Sequence, residues 1–316
     1  MAEHVYASVS VEATYEEECM AKQLRSLNGH VVAITGGGRG IGRATAAALI
    51  TKGARVAIGD IDAALAERTA SELGSGTIGL PLDVTDKPSF AAFLDEVESR
   101  LGPLDVLVNN AGIMPVGPFV DETDAATDKL VDINVMGVII GSKLALERFR
   151  PRARGHIVQL ASIAGKGGFP GGATYCATKH AVVGLSETLR AELRGTGIEV
   201  HQVLPIGVNT ELYSGVSQAR GFKTPEPEDV AAAIVELVQT GRFERYVPRQ
   251  VGPVIRMNAL LPRRVADAIT RITHADRLLL TSDRSARAAY DARMAQVLDG
   301  SAVPVAVPGE REKDAA

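Results

Sequence analysis

Two residues that could transfer a proton stand one helical turn apart in the middle of the chain. Tyr175 and Lys179 are four positions apart in a segment with helical spacing, so both side chains are expected on one helix face. A free phenol has a pKa of about 10 and is a poor base at neutral pH. An ammonium group a few ångströms away favours the phenolate and lowers that pKa. The pair therefore predicts a general acid–base, although this spacing alone also arises by chance on amphipathic helices.

A serine precedes this pair at the end of an apolar run. Ser162 lies thirteen residues before Tyr175 and follows the predicted strand His156–Leu160. The carboxyl ends of parallel strands are where a doubly wound sheet presents its ligands. The Ser162 hydroxyl could donate to a substrate oxygen as negative charge develops on it. The alternative is a serine that caps a turn. Hydrolase chemistry is not expected, because the G-x-S-x-G pattern of a serine nucleophile is missing.

A glycine-rich turn follows the first predicted strand. It has the sequence Thr35-Gly36-Gly37-Gly38-Arg39-Gly40-Ile41-Gly42 and continues directly into a helix. Glycines let the backbone turn sharply and bring its amide groups against a pyrophosphate, whose charge suits a helix N-terminus. The residues predicted to contact a dinucleotide here are Gly36, Gly38, Arg39, Gly40, Ile41 and Gly42.

A carboxylate follows the next predicted strand. Asp60 lies twenty residues after Gly40, which matches the spacing of an acidic residue that binds the adenosine ribose. Such a carboxylate accepts hydrogen bonds from both ribose hydroxyls and repels a 2′-phosphate, which predicts NAD in preference to NADP. Two alternatives stay open. Asp60 could cap the following helix, a task that Asp62 could share, and the guanidinium of Arg39 could bind a 2′-phosphate.

Short apolar runs alternate with helical segments through most of the chain. The predicted strands are Val31–Ile34, Arg55–Ile58, Thr77–Leu82, Leu104–Val108, His156–Leu160 and Ile198–Leu204. The predicted helices are Ile41–Thr51, Asp62–Leu73, Pro88–Leu101, Asp124–Arg148 and Thr174–Arg194. Parallel neighbours need right-handed crossovers, so this alternation predicts an α/β fold with a doubly wound parallel sheet, a Rossmann fold in a single domain.

Three motifs together resemble the short-chain dehydrogenase/reductase family over residues 30–248. They are the TGxxxGxG turn, Asn109-Asn110-Ala111-Gly112 and Tyr175-Cys176-Ala177-Thr178-Lys179. The resemblance implies that Asn134 joins Ser162, Tyr175 and Lys179 in a catalytic set. Asn134 would hold a water that connects Lys179 to solvent; the alternative for it is a polar helix residue facing solvent.

The same resemblance implies further cofactor contacts. Asp83 and Val84 would contact the adenine, and Val208 and Thr210 the nicotinamide end. The cofactor-binding residues that it implies beyond the glycine turn and Asp60 are Asp83, Val84, Asn110, Ala111, Gly112, Tyr175, Lys179, Pro205, Val208 and Thr210. Ile206 stands where the family usually has a glycine after the proline, a departure that could tilt the wall beside the nicotinamide.

The resemblance implies hydride transfer between NAD and a secondary alcohol or ketone. The segments expected to form the substrate wall, Ile113–Phe119, Gly165–Gly172 and Leu212–Phe222, are mostly apolar. An apolar pocket with one hydrogen-bonding centre suits a lipophilic substrate such as a steroid, a retinoid or a long-chain compound. Two alternatives are an NADP-dependent reductase of 3-oxoacyl thioesters and a non-catalytic NAD-binding sensor or scaffold. Pairing through the two long helices, usual in the family, implies a homodimer or homotetramer.

Composition excludes several other classes of function. The chain has 316 residues, 46% hydrophobic, and a formal net charge of −4, so nucleic-acid binding by bulk electrostatics is not expected. Two cysteines cannot form a disulfide framework and suit a reducing, cytoplasmic setting. No apolar run approaches the ~18 residues of a membrane span, and the first residues lack the features of a secretory signal. The six histidines are scattered without paired ligand spacing, so no metal site is predicted.

The predicted catalytic domain, residues 29–248, lies between two extensions. Residues 1–28 are predicted to be a disordered N-terminal extension, and residues 300–316 a flexible tail. Residues 249–299 are predicted to be a basic amphipathic helical extension, with six arginines among apolar residues in its first 29 positions. Peripheral contact with an anionic membrane surface is one interpretation. Packing of its apolar face on its own domain or on a sister subunit is the favoured one.

Overall fold

The computed structural model describes residues 24–216, 223–262, 264–265, 268, 271 and 278–298. These residues form a parallel sheet of seven strands in the order β3-β2-β1-β4-β5-β6-β7. The strands are β1 (Val31–Thr35), β2 (Arg55–Asp60), β3 (Ile78–Pro81), β4 (Val106–Asn109), β5 (Gly155–Leu160), β6 (Ile198–Pro205) and β7 (Glu244–Val247). The predicted doubly wound α/β fold is confirmed.

Helices cover both faces of this sheet. The α-helices of the described residues are α1 (Gly40–Ile50), α2 (Ala63–Leu73), α3 (Lys87–Leu101), α4 (Asp124–Val131), α5 (Gly137–Phe149), α6 (Ala173–Glu192), α7 (Pro227–Thr240), α8 (Val251–Leu260) and α9 (Arg284–Leu298). One apolar core lies between the sheet and the α1/α7 layer, and another between the sheet and the α3/α5 layer. Because the central strands are buried on both faces, their sequences are continuous apolar runs rather than alternating patterns.

The strand order reverses between β1 and β4, which are neighbours in the sheet although β2 and β3 separate them in the chain. In open α/β sheets the ligand cleft forms at such a reversal, outside the carboxyl ends of the strands. Hydrogen bonds join the two strand ends here. The hydroxyl of Thr35 accepts from the backbone N–H of Asn110 (3.0 Å) and of Ala111 (2.9 Å). The two loops that flank the cleft are therefore fixed to each other.

The predicted helix Asp124–Arg148 contains a π-helical turn. α4 ends at Val131, residues Asp132–Met136 form the π-helical turn, and α5 begins at Gly137. Asn134 lies in the middle of this turn and is 1% exposed, so the solvent-facing alternative for this residue is wrong. The extra residue of a π-turn shifts the side chains that follow it around the helix axis, and such turns are frequent at functional sites.

Nothing in the sequence predicts β7 as a strand. It has the sequence Glu-Arg-Tyr-Val and pairs with β6 at the edge of the sheet. Its first two residues, Glu244 and Arg245, are charged and interrupt the apolar pattern. An edge strand tolerates them because one of its sides has no neighbouring strand.

Residues 24–28, assigned above to the disordered N-terminal extension, pack on the domain. Leu27 is 2% exposed and belongs to the core between the sheet and the α1/α7 layer. The backbone N–H of Arg25 donates to the carbonyl of Gln239 (3.1 Å). The domain therefore includes these residues, because a buried leucine and a backbone hydrogen bond fix their path. Residues 1–23 of this extension and the predicted tail, 300–316, lie outside the described residues.

Parts of the C-terminal extension, in α8 and α9, pack on its own domain. Val251 of α8 and Tyr290 of α9 are 3% and 5% exposed, respectively. α8 contacts β7, and α9 contacts α4 and the segment Glu211–Tyr213. Within the described helices, none is both long and apolar enough to cross a membrane.

Candidate active site

The glycine-rich turn joins β1 to α1 and leaves little or no room for a side chain at several positions. A Cβ on Gly42 would lie 2.3 Å from the carbonyl oxygen of Gly36, and one on Gly36 would lie 3.0 Å from the Cα of Ala111. Asn110 Nδ2 donates to the carbonyls of Thr35 (2.8 Å) and Gly36 (3.0 Å). The turn therefore has a fixed backbone at the N-terminus of α1, where an anion is bound most readily.

The N-terminus of α1 keeps its backbone donors available. Its N-cap residue, Arg39, makes no side-chain cap hydrogen bond, so the first N–H groups of the helix can donate to a ligand. The guanidinium of Arg39 lies 3.1 Å from the carboxylate of Glu211. A Cβ on Gly40 would lie 3.4 Å from the methyl of Thr210, so Thr210 stands beside this helix end. Ile41, the next residue, also lines the cleft.

Asp60 ends β2 and faces the glycine turn. Its Oδ2 accepts from the backbone N–H of Gly38 (3.1 Å), and its Oδ1 from that of Asp62 (3.2 Å). Burial raises the pKa of the Asp60 carboxyl above its ordinary value, against the opposing effect of these two hydrogen bonds. Asp62 caps α2 by accepting from the N–H of Leu65 (2.9 Å). The structure thus gives the capping role to Asp62 and leaves Asp60 directed into the cleft.

Asp83 and Val84 follow β3 on the wall next to Asp60. The Oδ1 of Asp83 accepts from the backbone N–H (2.9 Å) and the hydroxyl (2.7 Å) of Thr85. Val84 is 8% exposed and packs against Gly137 at the start of α5. Both residues are therefore held in place by their neighbours at this end of the cleft.

Tyr175 and Lys179 lie on α6 and point into the cleft together. The Lys179 Nζ lies 5.7 Å from the centroid of the Tyr175 ring and donates to the carbonyl of Leu160 (2.9 Å) at the end of β5. Ser162 hydrogen-bonds the Tyr175 phenol. The Ser162 Oγ also accepts from the backbone N–H of Ala164 (3.1 Å), so this serine both caps a turn and faces the phenol.

Asn134 joins this group from behind the wall of the cleft. Its Oδ1 accepts from the backbone N–H of Ile113 (2.9 Å), and its Nδ2 donates to the carbonyl of Ile113 (2.9 Å) and to Thr178 Oγ1 (3.2 Å). A Cβ on Gly112 would lie 3.1 Å from Asn134 Oδ1 and 3.9 Å from Lys179 Nζ. Asn134 thus fixes the loop after β4 directly beside the lysine.

Burial disfavours the charged form of both members of the pair on α6. It raises the pKa of the Tyr175 phenol above its ordinary value, and the hydrogen bond from Ser162 opposes this only in part. Burial lowers the pKa of Lys179 to about 8. The direction for Tyr175 is opposite to that expected from the sequence. Loss of hydration is the largest cause when the protein alone surrounds the phenol.

The segment after β6 completes the wall near the catalytic candidates. Pro205, the last residue of β6, and Val208 line the cleft, and the N–H of Thr210 donates to the carbonyl of Val208 (2.7 Å). Ile206, which replaces a glycine of the family pattern, packs against a small core around Tyr246 and Val251.

The glycine requirement near β6 falls on the next residue, Gly207. A Cβ on Gly207 would lie 2.0 Å from the Cζ of Tyr213. The tyrosine ring therefore takes the space that a side chain at this position would need. The departure at Ile206 is accommodated, because the close approach occurs one residue later.

A cavity of about 2020 Å³ connects these groups. It is lined by the predicted site residues except Gly38, Gly42 and Asn134, which lie behind its wall. Pockets for one small molecule typically measure about 300–1,000 Å³, so this cavity can hold a dinucleotide and a second ligand side by side.

The predicted substrate wall is present in part. Ile113, Met114, Phe169 and Leu212 line the cavity, whereas Phe119 is 67% exposed and does not contribute. Residues 217–222 of that prediction lie outside the described residues.

The C-terminal helices supply cavity residues that sequence reasoning missed. They are Val251, Val254, Ile255, Met257, Asn258 and Leu261 from α8 and the residue after it, and Tyr290, Arg293, Met294, Gln296 and Val297 from α9, with Leu278 and Leu279 from the segment before α9. α9 therefore forms part of the cavity wall. The amphipathic pattern identified a packing face but not what it packs against.

A buried arginine anchors α9. Arg287 is 2% exposed and donates to the carbonyls of Leu212 (3.0 Å), Ser214 (3.2 Å) and Met114. The Tyr290 hydroxyl accepts from the N–H of Met114 (2.8 Å). One helix thus holds the loop after β4 and the loop after β6 together. No sequence signal marks Arg287, because arginines in helices are usually exposed.

Replacing Arg287 by methionine should destabilise the protein. Met keeps much of the side-chain volume but leaves the carbonyls of Leu212, Ser214 and Met114 without their donor, so we expect the free energy of unfolding to fall by about 2–5 kcal/mol. Urea denaturation followed by circular dichroism measures it. Arg284→Met, on an exposed arginine of the same helix, is the matched control and should change it by less than about 0.5 kcal/mol. Equal stability of the two variants would contradict the anchoring role.

Replacing Lys179 by methionine should stabilise the ligand-free protein. The buried ammonium loses hydration on folding, at a cost of about 3 kcal/mol for this shift of the Lys179 pKa. Its removal also takes away the hydrogen bond to the carbonyl of Leu160, which contributes about 1 kcal/mol, so the free energy of unfolding should rise by about 1–3 kcal/mol at pH 7. Because burial lowers the Lys179 pKa from 10.5 to about 8, this gain is full below pH 8 and disappears as the pH rises toward 10.5. Urea denaturation at several pH values measures it, with Lys143→Met, an exposed lysine, as the control. A less stable Lys179→Met protein at pH 7 would refute this account of the lysine.

The sequence matches a known protein family over more than half of its length. The family model described as short chain dehydrogenase matches residues 30–221. The chain is 38% identical over 231 residues to 2-(S)-hydroxypropyl-CoM dehydrogenase 3 of Xanthobacter autotrophicus, covering 67% of this chain and 90% of the relative. It is 31% identical over 254 residues to 17-beta-hydroxysteroid dehydrogenase 13 of Rattus norvegicus, covering 78% of this chain and 84% of the relative.

A solved structure with the same fold is similar over most of this chain. It is a short chain dehydrogenase/reductase from Burkholderia phymatum in complex with NAD. The TM-score is 0.69 and the sequence identity 27%, over 75% of this chain and 95% of the other.

Proposed function

Because the chain belongs to the short-chain dehydrogenase family, we propose that it transfers a hydride between NAD and a lipophilic secondary alcohol or ketone. Tyr175 is the general acid–base in this proposal, with Ser162, Lys179 and Asn134 as its partners. The observation that carries it is one continuous cavity, with Asp60 and the glycine turn at one end and the Ser162–Tyr175 pair farther along.

The first part of the cavity fits a dinucleotide. The uncapped N-terminus of α1 offers backbone donors to the pyrophosphate. Asp60 has two backbone donors on its carboxylate and lone pairs left for ribose hydroxyls. A 2′-phosphate would meet this carboxylate, and Arg39, the cation that could offset the repulsion, is paired with Glu211 at 3.1 Å. These contacts favour NAD over NADP.

The protein's own residues handle the proton. Ser162 donates to the substrate oxygen, and Tyr175 takes the hydroxyl proton of the alcohol at its phenolic oxygen, or returns it to the ketone. A bound nicotinamide supplies the hydride acceptor or donor and, when oxidised, a positive charge near the phenol. Lys179, whose Nζ is 5.7 Å from the ring centroid, adds a second positive charge that favours the phenolate. Both positive charges act against the burial that raises the pKa of Tyr175.

The second part of the cavity favours a lipophilic substrate. Its walls include Met114, Phe169, Leu279, Met294 and Val297. Two cations on these walls contact carboxylates: Lys166 lies 2.6 Å from Glu187, and Arg293 lies 2.6 Å from Glu211, which it shares with Arg39. An anionic carrier-bound substrate would have to compete with these pairs. The name of the rat relative indicates a steroid substrate for that protein, which agrees in kind.

A homodimer or homotetramer belongs to the same proposal. The family pairs through the helices that correspond here to α4–α5 and α6. Val131 and Met136 on the first of these are 40% and 43% exposed in the single chain, and burial of such side chains would favour association.

Replacing Tyr175 by phenylalanine should abolish turnover and preserve NAD binding. The change removes only the hydroxyl that exchanges the proton, so kcat should fall by at least about 100-fold. The reduction of NAD is followed by absorbance with a panel of lipophilic secondary alcohols, and NAD affinity by calorimetry. Tyr246→Phe, on a buried tyrosine outside the cavity, is the control. Turnover by Tyr175→Phe at the wild-type rate would refute the acid–base role, and NAD binding by the wild type without turnover of any alcohol or ketone would favour a sensor.

Replacing Asp60 by alanine should relax the preference for NAD. Hydrogen bonds to a charged group contribute about 1.5–3 kcal/mol, so the ratio of kcat/KM for NAD to that for NADP should fall roughly 10- to 100-fold. Asp86→Ala is the matched control: it removes the cap of α3 outside the cavity lining, costs about 1 kcal/mol of stability and leaves the ratio unchanged. An unchanged ratio in Asp60→Ala would mean that another residue selects the cofactor.

A further inference from the structure

A second cluster of ligand-type side chains lies at the opposite end of the sheet. β5 and β6 are parallel and in register, with His156 beside Glu199 and Val158 beside His201. Side chains two residues apart on a strand share a face, so Glu199 and His201 project from β6 on the side where His156 projects from β5. His156 and Glu199 are each the second residue of their strand. The cavity, in contrast, lies at the strands' carboxyl ends.

The distances in this cluster match those of metal ligands. Nδ1 of His156 and Nε2 of His201 are 3.1 Å apart, and each is 3.8 Å from Oε2 of Glu199. A point in the plane of these three atoms lies about 2.1 Å from all of them, which is the usual length of a bond from zinc to an imidazole nitrogen or a carboxylate oxygen. One ion can therefore touch all three groups without any movement of the backbone.

The hydrogen bonding of His201 leaves the correct nitrogen available. Its Nδ1 lies 2.6 Å from the carbonyl oxygen of Arg242. A carbonyl only accepts, so Nδ1 carries the hydrogen and Nε2 presents its lone pair to His156 and Glu199. A backbone carbonyl on the distal nitrogen is the usual arrangement for a histidine that binds a metal, because it fixes the tautomer and the ring orientation. The His201 side chain is fully buried, whereas that of Glu199 is 32% exposed, so an ion would enter past the glutamate.

We propose that His156, Glu199 and His201 bind a zinc ion, with water as the fourth ligand. Two imidazoles and a carboxylate suit zinc better than magnesium or calcium, which prefer sets of oxygen ligands. The ion would join β5, β6 and the turn after α7 at the end of the sheet away from the cavity. The ion would lie apart from the cavity, because no residue of this cluster lines it.

Arg25 competes for the same carboxylate. Its Nη1 lies 2.7 Å from each oxygen of Glu199. When zinc binds, the guanidinium has to give up Oε2, and its positive charge repels the ion. The proposal therefore predicts that removal of Arg25 strengthens zinc binding. A plain hydrogen-bond network, in which His156 Nδ1–H donates to His201, predicts no such effect.

The test is zinc binding by the full chain, without a histidine tag and after removal of metal with EDTA. Competition against a chromophoric zinc chelator gives affinity and stoichiometry. The wild type should bind one equivalent. His156→Gln and Glu199→Gln should each bind at least about tenfold more weakly, and Arg25→Gln more tightly. His180→Gln, on an exposed histidine of α6, is the matched control and should bind like the wild type.

Thermal denaturation gives a second readout that also checks folding. Zinc should raise the Tm of the wild type and of His180→Gln, and should leave that of His156→Gln and Glu199→Gln unchanged. Each variant's cooperative unfolding in EDTA shows that it is folded, and two variants are used so that the failure of one leaves the other. The proposal is overturned if the wild type binds no stoichiometric zinc, if all variants bind equally, or if Arg25→Gln binds more weakly.

Discussion

A few hydrogen bonds between two loops at the centre of the sheet hold the cavity together. Thr35, at the end of β1, accepts from the backbone of the loop after β4, and the side chain of Asn110 donates back to the glycine turn. These groups are at least partly buried, so each broken bond would leave a polar atom unpaired at a cost of about 1–3 kcal/mol. The loop fixed in this way continues to Ile113, which Asn134 holds from the π-helical turn. The end of the cavity proposed for the dinucleotide and the end with the catalytic candidates thus share one rigid edge.

Burial opposes the charged forms of two catalytic candidates, Tyr175 and Lys179. Burial raises the pKa of Tyr175 and lowers that of Lys179, so the ligand-free protein disfavours the phenolate and the ammonium that the proposed reaction uses. Perturbed ionisable groups of this kind concentrate at functional sites. The nearby lysine favours the phenolate form of Tyr175, whereas burial favours the neutral phenol. A cationic ligand in the adjoining part of the cavity would shift this equilibrium toward the phenolate.

The far end of the cavity depends on the C-terminal helix. Arg287 and Tyr290 bond the loops after β4 and β6, which come from distant parts of the chain. An apolar wall made by a late helix can vary in shape while the carboxyl ends of the strands, with the dinucleotide and proton-transfer groups, stay fixed. Under the proposed function, chemistry and substrate shape therefore fall to different segments.

The sequence by itself determined whatever depends on neighbours along the chain. The glycine turn, the distance to Asp60 and the i,i+4 pair on α6 follow from local periodicity and backbone sterics, and they predicted the fold and the family. Contacts across the sheet were decided only by the tertiary structure. The π-helical turn at Asn134, the burial of Arg287 and the sign of the pKa shift at Tyr175 all depend on packing from remote segments. His156 and His201 show the reason most directly: 45 positions separate them in the chain, and the register of β5 against β6 brings their nitrogens to 3.1 Å.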